Sequence, residues 1–411
     1  MTQAILKNTV SGFYRWIVIG VWALCNSVAW AVVLVIGLLL PTIGLDLDLT
    51  PTQQGLLASI PFWGSFVLTI PCSIWFSRYR PTLLTSITLV FGTIFLFAQA
   101  LAPIFVAILG FRLLFGLAMV AREPARPTLI RQWFPSREYI AVNGLIAGIL
   151  CLTFATVMLA TPYVLSSLGG DWRGTLTMLG WAFAFLTILW VLLGRDGSEL
   201  HYRFGEFPVE PISVKNVTRH KALWLAGFGF VGVTMAWSSF VAFYPTFMLD
   251  KFLFPLRYSG LILAFSMVCS GVFSVVIGYI ATTPKRRSSI LKIFGILIAG
   301  SQIMLLTTDS LPLLLVIAAV NGIGFGFFPI LLTVPFQLPA IGARELAVAH
   351  SIILTSFSLG MALGPMAAGL LHEPLGGLGT TLAFVSLTAL TVVLSGFLLE
   401  SSSAIDSSYI E

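Results

Sequence analysis

FRLLFGLAMVAREPARPTLIRQWFP, residues Phe111 to Pro135, reads as a membrane-spanning helix that carries Arg112, Arg122, Glu123 and Arg126 inside its apolar run. An ionisable side chain in the hydrocarbon core costs a few kcal/mol on insertion scales, so it should face a polar interior and serve function. At ~100° per residue, with Arg112 at zero, Glu123 falls near +20°, Arg126 near −40° and Arg122 near −80°. The spacing therefore predicts one shared arc of roughly 100°, which a helix can turn inward. Pro124 and Pro127 lie in the same turn. Each lacks an N–H and obstructs the carbonyl four residues back, so a bend or opening is expected there. A polar, kinked midpoint in an apolar helix points to a substrate or gating site.

The rest of the chain is of one kind with this stretch. It is 58% hydrophobic and 9% charged, with a mean hydropathy of +0.99, where a soluble domain carries about a quarter charged residues. An all-α integral membrane protein is expected, not an enzyme. Cys25, Cys72, Cys151 and Cys269 lie in apolar runs without paired spacing and read as small hydrophobes. The first apolar stretch is too long for a signal peptide and lacks a cleavage site, so it counts as a span. The dispersed histidines have no ligand spacing, and no Walker sequence is present. No metal, cofactor or ATP is expected.

Twelve segments reach the ~20 apolar residues that a span needs: 15–40, 52–77, 82–102, 104–132, 139–167, 174–194, 221–248, 257–281, 288–307, 310–336, 345–370 and 377–399. The long polar interruption from Arg195 to His220 divides them six and six. The expected organisation is a bundle over 1–194, a linker over 195–220, a second bundle over 221–400 and a polar tail over 401–411. With both termini inside, most lysines and arginines fall on cytoplasmic segments. These include Lys7, Arg15, Arg78, Arg80, Arg131, Arg137, five residues between Arg195 and Lys221, and Lys285 to Arg287. The basic balance thus reports orientation in a cell membrane, with lipid and not nucleic acid as the partner. The halves echo one another: Arg137-Glu138 and Arg344-Glu345 each open the next helix, and Pro124 and Pro329 sit at similar depths. Six-helix repeats of this kind are a transporter architecture with the site between them.

Several motifs give a resemblance. Arg112-Leu-Leu-Phe-Gly116, the run Pro124 to Pro135 followed by Ser-Arg-Glu138, Gly170-Asp171-Trp172-Arg173, and Gly360-Met-Ala-Leu-Gly364-Pro365 resemble the fourth-, sixth- and eleventh-span patterns of the major facilitator superfamily. The resemblance implies two pseudo-symmetric six-helix bundles and alternating access by a monomer. The texture is nearest to bacterial importers of nitrate, cyanate and organic anions, although the paired arginines of nitrate porters in spans 2 and 8 are missing. The family's loop between spans 2 and 3, shaped like G-x-x-x-D-R-x-G-x-R-R, departs here. Ser73 stands for its glycine, Ser77 for its aspartate, and Thr82-Leu83 for its basic pair, while Arg78 and Arg80 remain. In the second half, Gly278 to Arg287 keeps the glycine with Arg286 and Arg287 but also lacks the acid. The resemblance makes these four arginines gating residues of a weakened cytoplasmic latch.

Arg122 and Arg126 are the candidate ligands for a negative group, by bidentate hydrogen bonds, and the alternative is an internal ion-pair set with Glu123. Glu123 is the natural proton carrier if transport is proton-coupled. Arg112 is either a buried strut on span-1 carbonyls or, by resemblance, a coupling residue. Asn26, Trp30, Trp237 and Asn321 lie mid-span and either line the cavity or pack helix on helix. The leading expectation is a secondary transporter of a small, anionic solute, working by symport with protons. Efflux of lipophilic compounds is a second reading, and a non-transporting membrane receptor or assembly protein a third.

Overall fold

In the computed structural model, residues 2–76, 79–122, 125–135, 138–197, 214–338 and 343–407 are described. The first half contains α1 (Thr2–Asp46), α2 (Pro51–Phe76), α3 (Pro81–Ala100), α4 (Phe105–Arg122), α5 (Ala125–Trp133), α6 (Tyr139–Ser167) and α7 (Trp172–Leu193). A short α8 (Val214–Thr218) precedes α9 (Lys221–Phe252), α10 (Leu256–Ile280), α11 (Pro284–Met304), α12 (Leu311–Phe325) and α13 (Phe328–Leu332). The chain ends with α14 (Ala343–Leu371), α15 (Leu378–Ser386) and α16 (Thr391–Ser407). No strand occurs among the described residues. A bilayer leaves backbone groups no other partner, so a spanning chain must satisfy them within helices.

Twelve passes result, as the sequence predicts, in two pseudo-symmetric sets of six. Ten helical stretches among the described residues are long and apolar enough to cross a membrane. Of the other two passes, the fourth is described as α4 and α5, on either side of residues 123–124, and the ninth, α11, opens on Lys285, Arg286, Arg287 and Lys292. The tenth pass is interrupted: α12 stops at Phe325, and α13 restarts with Pro329 in its first turn, where a missing N–H costs nothing. On α7, Trp181, Phe185, Ile188 and Leu192 form an exposed apolar stripe, while Gly180, Phe183 and Trp190 face the core. A stripe of that period and exposure belongs against lipid.

An even number of passes returns the chain to its starting side. Both termini therefore share one end, called here the terminal end, and the opposite end is the distal end. At the distal end the Asp171-Trp172-Arg173 motif ties α7 to α1. The Asp171 carboxylate accepts from the Arg173 backbone N–H at 2.9 Å, the Trp172 indole donates to Asp46 at 3.2 Å, and the Arg173 guanidinium pairs with Asp46. At the terminal end Tyr14 donates to the Leu193 carbonyl at 2.6 Å, and Arg15 pairs with Glu138 at 3.0 Å. Within the half-sets the main packing runs α6–α1–α7–α3–α4–α2 and α14–α9–α16–α11–α12–α10. Where they meet, α2 packs on α14, α6 on α10, and α1 on α9.

Candidate solute site

The meeting of α1 with α9, and of α2 with α14, is tightest toward the distal end. A Cβ at Gly37 would overlap the Val241 carbonyl oxygen, and one at Gly55 would overlap the Pro365 carbonyl. Only glycine permits backbones to approach so closely. A void of about 10 Å³ remains between Val33, Phe62, Ser238 and Pro365, room for about one water and for no solute. The fourth and tenth passes share no packed interface comparable to the other three. At the terminal end His350 of α14 lies within electrostatic reach of Arg126 of α5, and its ring is 6.2 Å from that of Phe336.

The arginines of the fourth pass do not converge on one group. Arg112 is 1% exposed and acts as a three-way strut. Its Nε donates to the Leu57 carbonyl at 2.8 Å, one terminal nitrogen to the Val33 carbonyl at 3.1 Å, and the other to Gln99 Oε1 at 3.4 Å. It thereby joins α1, α2 and α3 to α4. Arg122, also 1% exposed, donates from Nε and Nη2 to a single acceptor, Asn26 Oδ1, at 3.2 and 3.0 Å. Val33 and Asn26 are seven residues apart on α1, about two turns or ~10 Å. Arg126 is half-buried and donates to Asn143 Oδ1 of α6 at 2.7 Å. Glu123 and Pro124, between α4 and α5, lie outside the described residues, as do Ser77 and Arg78.

Arg122 is also more covered than a cavity-lining residue would be, with Asn26 at 9% exposure standing in front of it. Two N–H groups of the guanidinium share the Asn26 amide oxygen.

One turn further along α1, on the same face, Trp30 begins an aromatic wall. It stacks on Phe62 of α2, with centroids 6.0 Å apart, and meets Phe357 of α14 edge-on at 6.0 Å. Phe357 in turn contacts Phe328 at 5.8 Å and Phe230 at 6.3 Å. On the other side Trp237 of α9 lies 6.1 Å from Phe154 of α6 and 6.3 Å from Phe325 of α12. Trp30, Trp237, Phe325, Phe328 and Phe357 are all partly buried and packed against the core. The Trp30–Phe357 and Phe154–Trp237 contacts both cross between the halves. Sequence reasoning singled out the two tryptophans but not Phe325, Phe328 or Phe357, which carry no signal among 33 phenylalanines.

Asn321 stands apart from this group. It is 4% exposed, accepts from Ser266 of α10 at 3.0 Å and donates to Ser301 of α11 at 2.9 Å, a helix-packing network within the second half. Among the gating arginines, Arg80 is exposed before α3. Arg286 reaches Thr282 Oγ1 at 3.5 Å, and Arg287 the Ala281 carbonyl at 2.9 Å. An acid does serve the start of α3, but from elsewhere. Asp196, after α7, accepts from the Thr82 hydroxyl at 2.8 Å and from its N–H at 3.4 Å. Glu400 on α16 plays the matching part for α11, through Ser288 and Lys292. The spacing of these acids from the loops hid them from the sequence reading.

The Major Facilitator Superfamily model matches residues 22–343. The chain belongs to that family. This facilitator is 22% identical over 254 residues to a probable L-galactonate transporter of Escherichia coli (strain K12), covering 58% of this chain and 55% of that protein. It is 23% identical over 351 residues to a nitrite extrusion protein of Bacillus subtilis (strain 168), covering 84% and 82%. Among solved structures, a bacterial homolog of the human lysosomal transporter Spinster superposes with a TM-score of 0.81 at 18% identity, over 94% of this chain and 97% of that one. The nucleoside transporter NupG superposes at 0.71 with 16% identity, over 94% and 98%. At these identities the structures establish the facilitator fold alone. The protein is a multi-pass membrane transporter.

Proposed function

We propose that this facilitator carries a small organic anion by alternating access, with the anionic group received by Arg122 and Arg126 of the fourth pass. The observation that carries the reading is that the fourth pass holds two cations, Arg122 against Asn26 of α1 and Arg126 against Asn143 of α6, in an otherwise apolar span. Two relatives named for galactonate and nitrite transport, both anions, support the same sign of charge. Residues 1–194 and 221–400 are the moving halves, and 195–220 the tether. The charge asymmetry puts the terminal end in the cytoplasm of a cell-membrane protein. An inward-open resting state is expected of a latch without its loop acids at positions 77 and 282. Arg112 is the strut of the first half, and Glu123 the proton carrier of a symport cycle.

The test is uptake of labelled organic anions into proteoliposomes. Arg122→Gln and Arg126→Gln each reduce saturable uptake at least tenfold, and Glu123→Gln preserves binding while removing dependence on the proton gradient. Uptake that survives both arginine changes in folded protein places the anion site elsewhere.

A further inference from the structure

At the distal end of the second half, the last turn of α9 and the connection from α14 to α15 enclose a cavity of about 310 Å³. A water occupies roughly 30 Å³, so the space admits a small organic molecule. Phe247, Asp250, Lys251, His372, Leu378 and Gly379 line it. We propose that this cavity is a second ligand site, separate from the arginines of the fourth pass, and that it takes a small zwitterion. A protonated amine is received by Asp250, and a carboxylate or phosphate by Lys251 with His372.

The charges of the lining select this class. The Asp250 carboxylate makes no hydrogen bond or ion pair with the described residues, and neither does the His372 ring, whose Nδ1 is buried. Buried polar groups are ordinarily partnered. Lys251 donates to the Leu306 carbonyl at 3.2 Å and lies over the rings of Phe247 and Phe252, at 5.1 and 4.9 Å from their centroids. An ammonium has three N–H donors, so this one keeps two beyond Leu306. A lone cation entering the cavity would meet the Lys251 ammonium, and a lone anion the Asp250 carboxylate. A metal ion is disfavoured further, because no group of three ligating side chains occurs among the described residues. A ligand with both signs of charge makes charge-assisted hydrogen bonds at each end. The walls are also fixed in advance. Gly376 and Gly377 turn the connection at φ of +73° and +133°, and the Gly377 N–H donates to the His372 carbonyl at 2.9 Å. Thr381 donates to the Leu371 and Gly377 carbonyls at 3.1 and 2.8 Å. On the other side, the Phe254 N–H closes α9 on the Met248 carbonyl at 3.1 Å. A site held open in this way loses little entropy on binding.

Equilibrium dialysis of the purified full chain in detergent tests this with labelled glycine, 4-aminobutyrate and phosphoethanolamine, against butyrate and butylamine as singly charged controls. The expected result is that one of the zwitterions binds at least tenfold more tightly than either control. Asp250→Asn, at an exposed position, weakens that binding about tenfold. Lys251→Gln does the same, while Lys251→Arg, which keeps the charge, retains it. Arg122→Gln leaves it unchanged. The same amine-and-anion chemistry is carried by free zwitterions and by a lipid headgroup, and nanodiscs of phosphatidylethanolamine separate the two. Binding undiminished there supports the site with a soluble ligand, and binding displaced there supports it with the headgroup in place. Zwitterions that bind no better than butyrate or butylamine overturn the proposal. So does zwitterion binding that survives Asp250→Asn, or that is lost in Arg122→Gln.

Discussion

Arg112 and Arg122 are alike in sequence and in burial, yet they have opposite prospects. Arg112 spends its fork on backbone carbonyls of two helices and on Gln99. Those acceptors are fixed by the packing of the first half, so nothing is gained by releasing them. Removing it as Arg112→Gln deletes charge-assisted hydrogen bonds worth about 1.5–3 kcal/mol each, and the melting temperature falls well before any effect on solute selectivity. Arg122 faces a side chain that can turn away. Asn26→Asp is nearly isosteric and supplies the carboxylate permanently. The ion pair then competes with the solute, so anion binding is lost while thermal stability is kept or raised. A destabilised Asn26→Asp protein that still binds anions would mean that the amide is a packing group that the solute does not displace. No sequence rule separates these two arginines. The choice depends on Gln99 and Asn26 coming from other helices.

The helices themselves were far more legible. Apolar runs of spanning length are a local property, and they transfer directly to the fold. The interruption of the tenth pass was foreshadowed by Pro329, because proline's lost donor acts locally. Less legible was where the halves are sealed, because that depends on glycines meeting carbonyls roughly two to three hundred residues away in the chain. Gly37 and Gly55 are the bolts of the distal end. Gly37→Leu should force α1 from α9 there. Distal-side labelling of an introduced cysteine at Val241 is then faster than in the otherwise identical Gly37 protein, with the terminal end of the molecule correspondingly protected. Unchanged labelling at both ends would mean that the distal seal depends on α2 and α14 alone.

Taken together, the chain is two half-sets of six passes, packed along α2–α14 and α6–α10 and sealed by α1–α9, with no comparable interface between the fourth and tenth passes. Such an assembly can change access only by exchanging which end is sealed. A bound solute favours the exchange if it binds the closed state better than the open one. That requires the same solute to touch both halves. The reading is tested most directly by a cysteine at Phe357, where α14 meets Trp30 of α1, in a chain with its four native cysteines replaced. A membrane-impermeant thiol reagent is applied to sealed vesicles of both orientations. Labelling from the terminal side only, slowed by a transported organic anion and no longer slowed in Arg122→Gln, is the expected result. Labelling from the distal side, or protection that persists without Arg122, would contradict it.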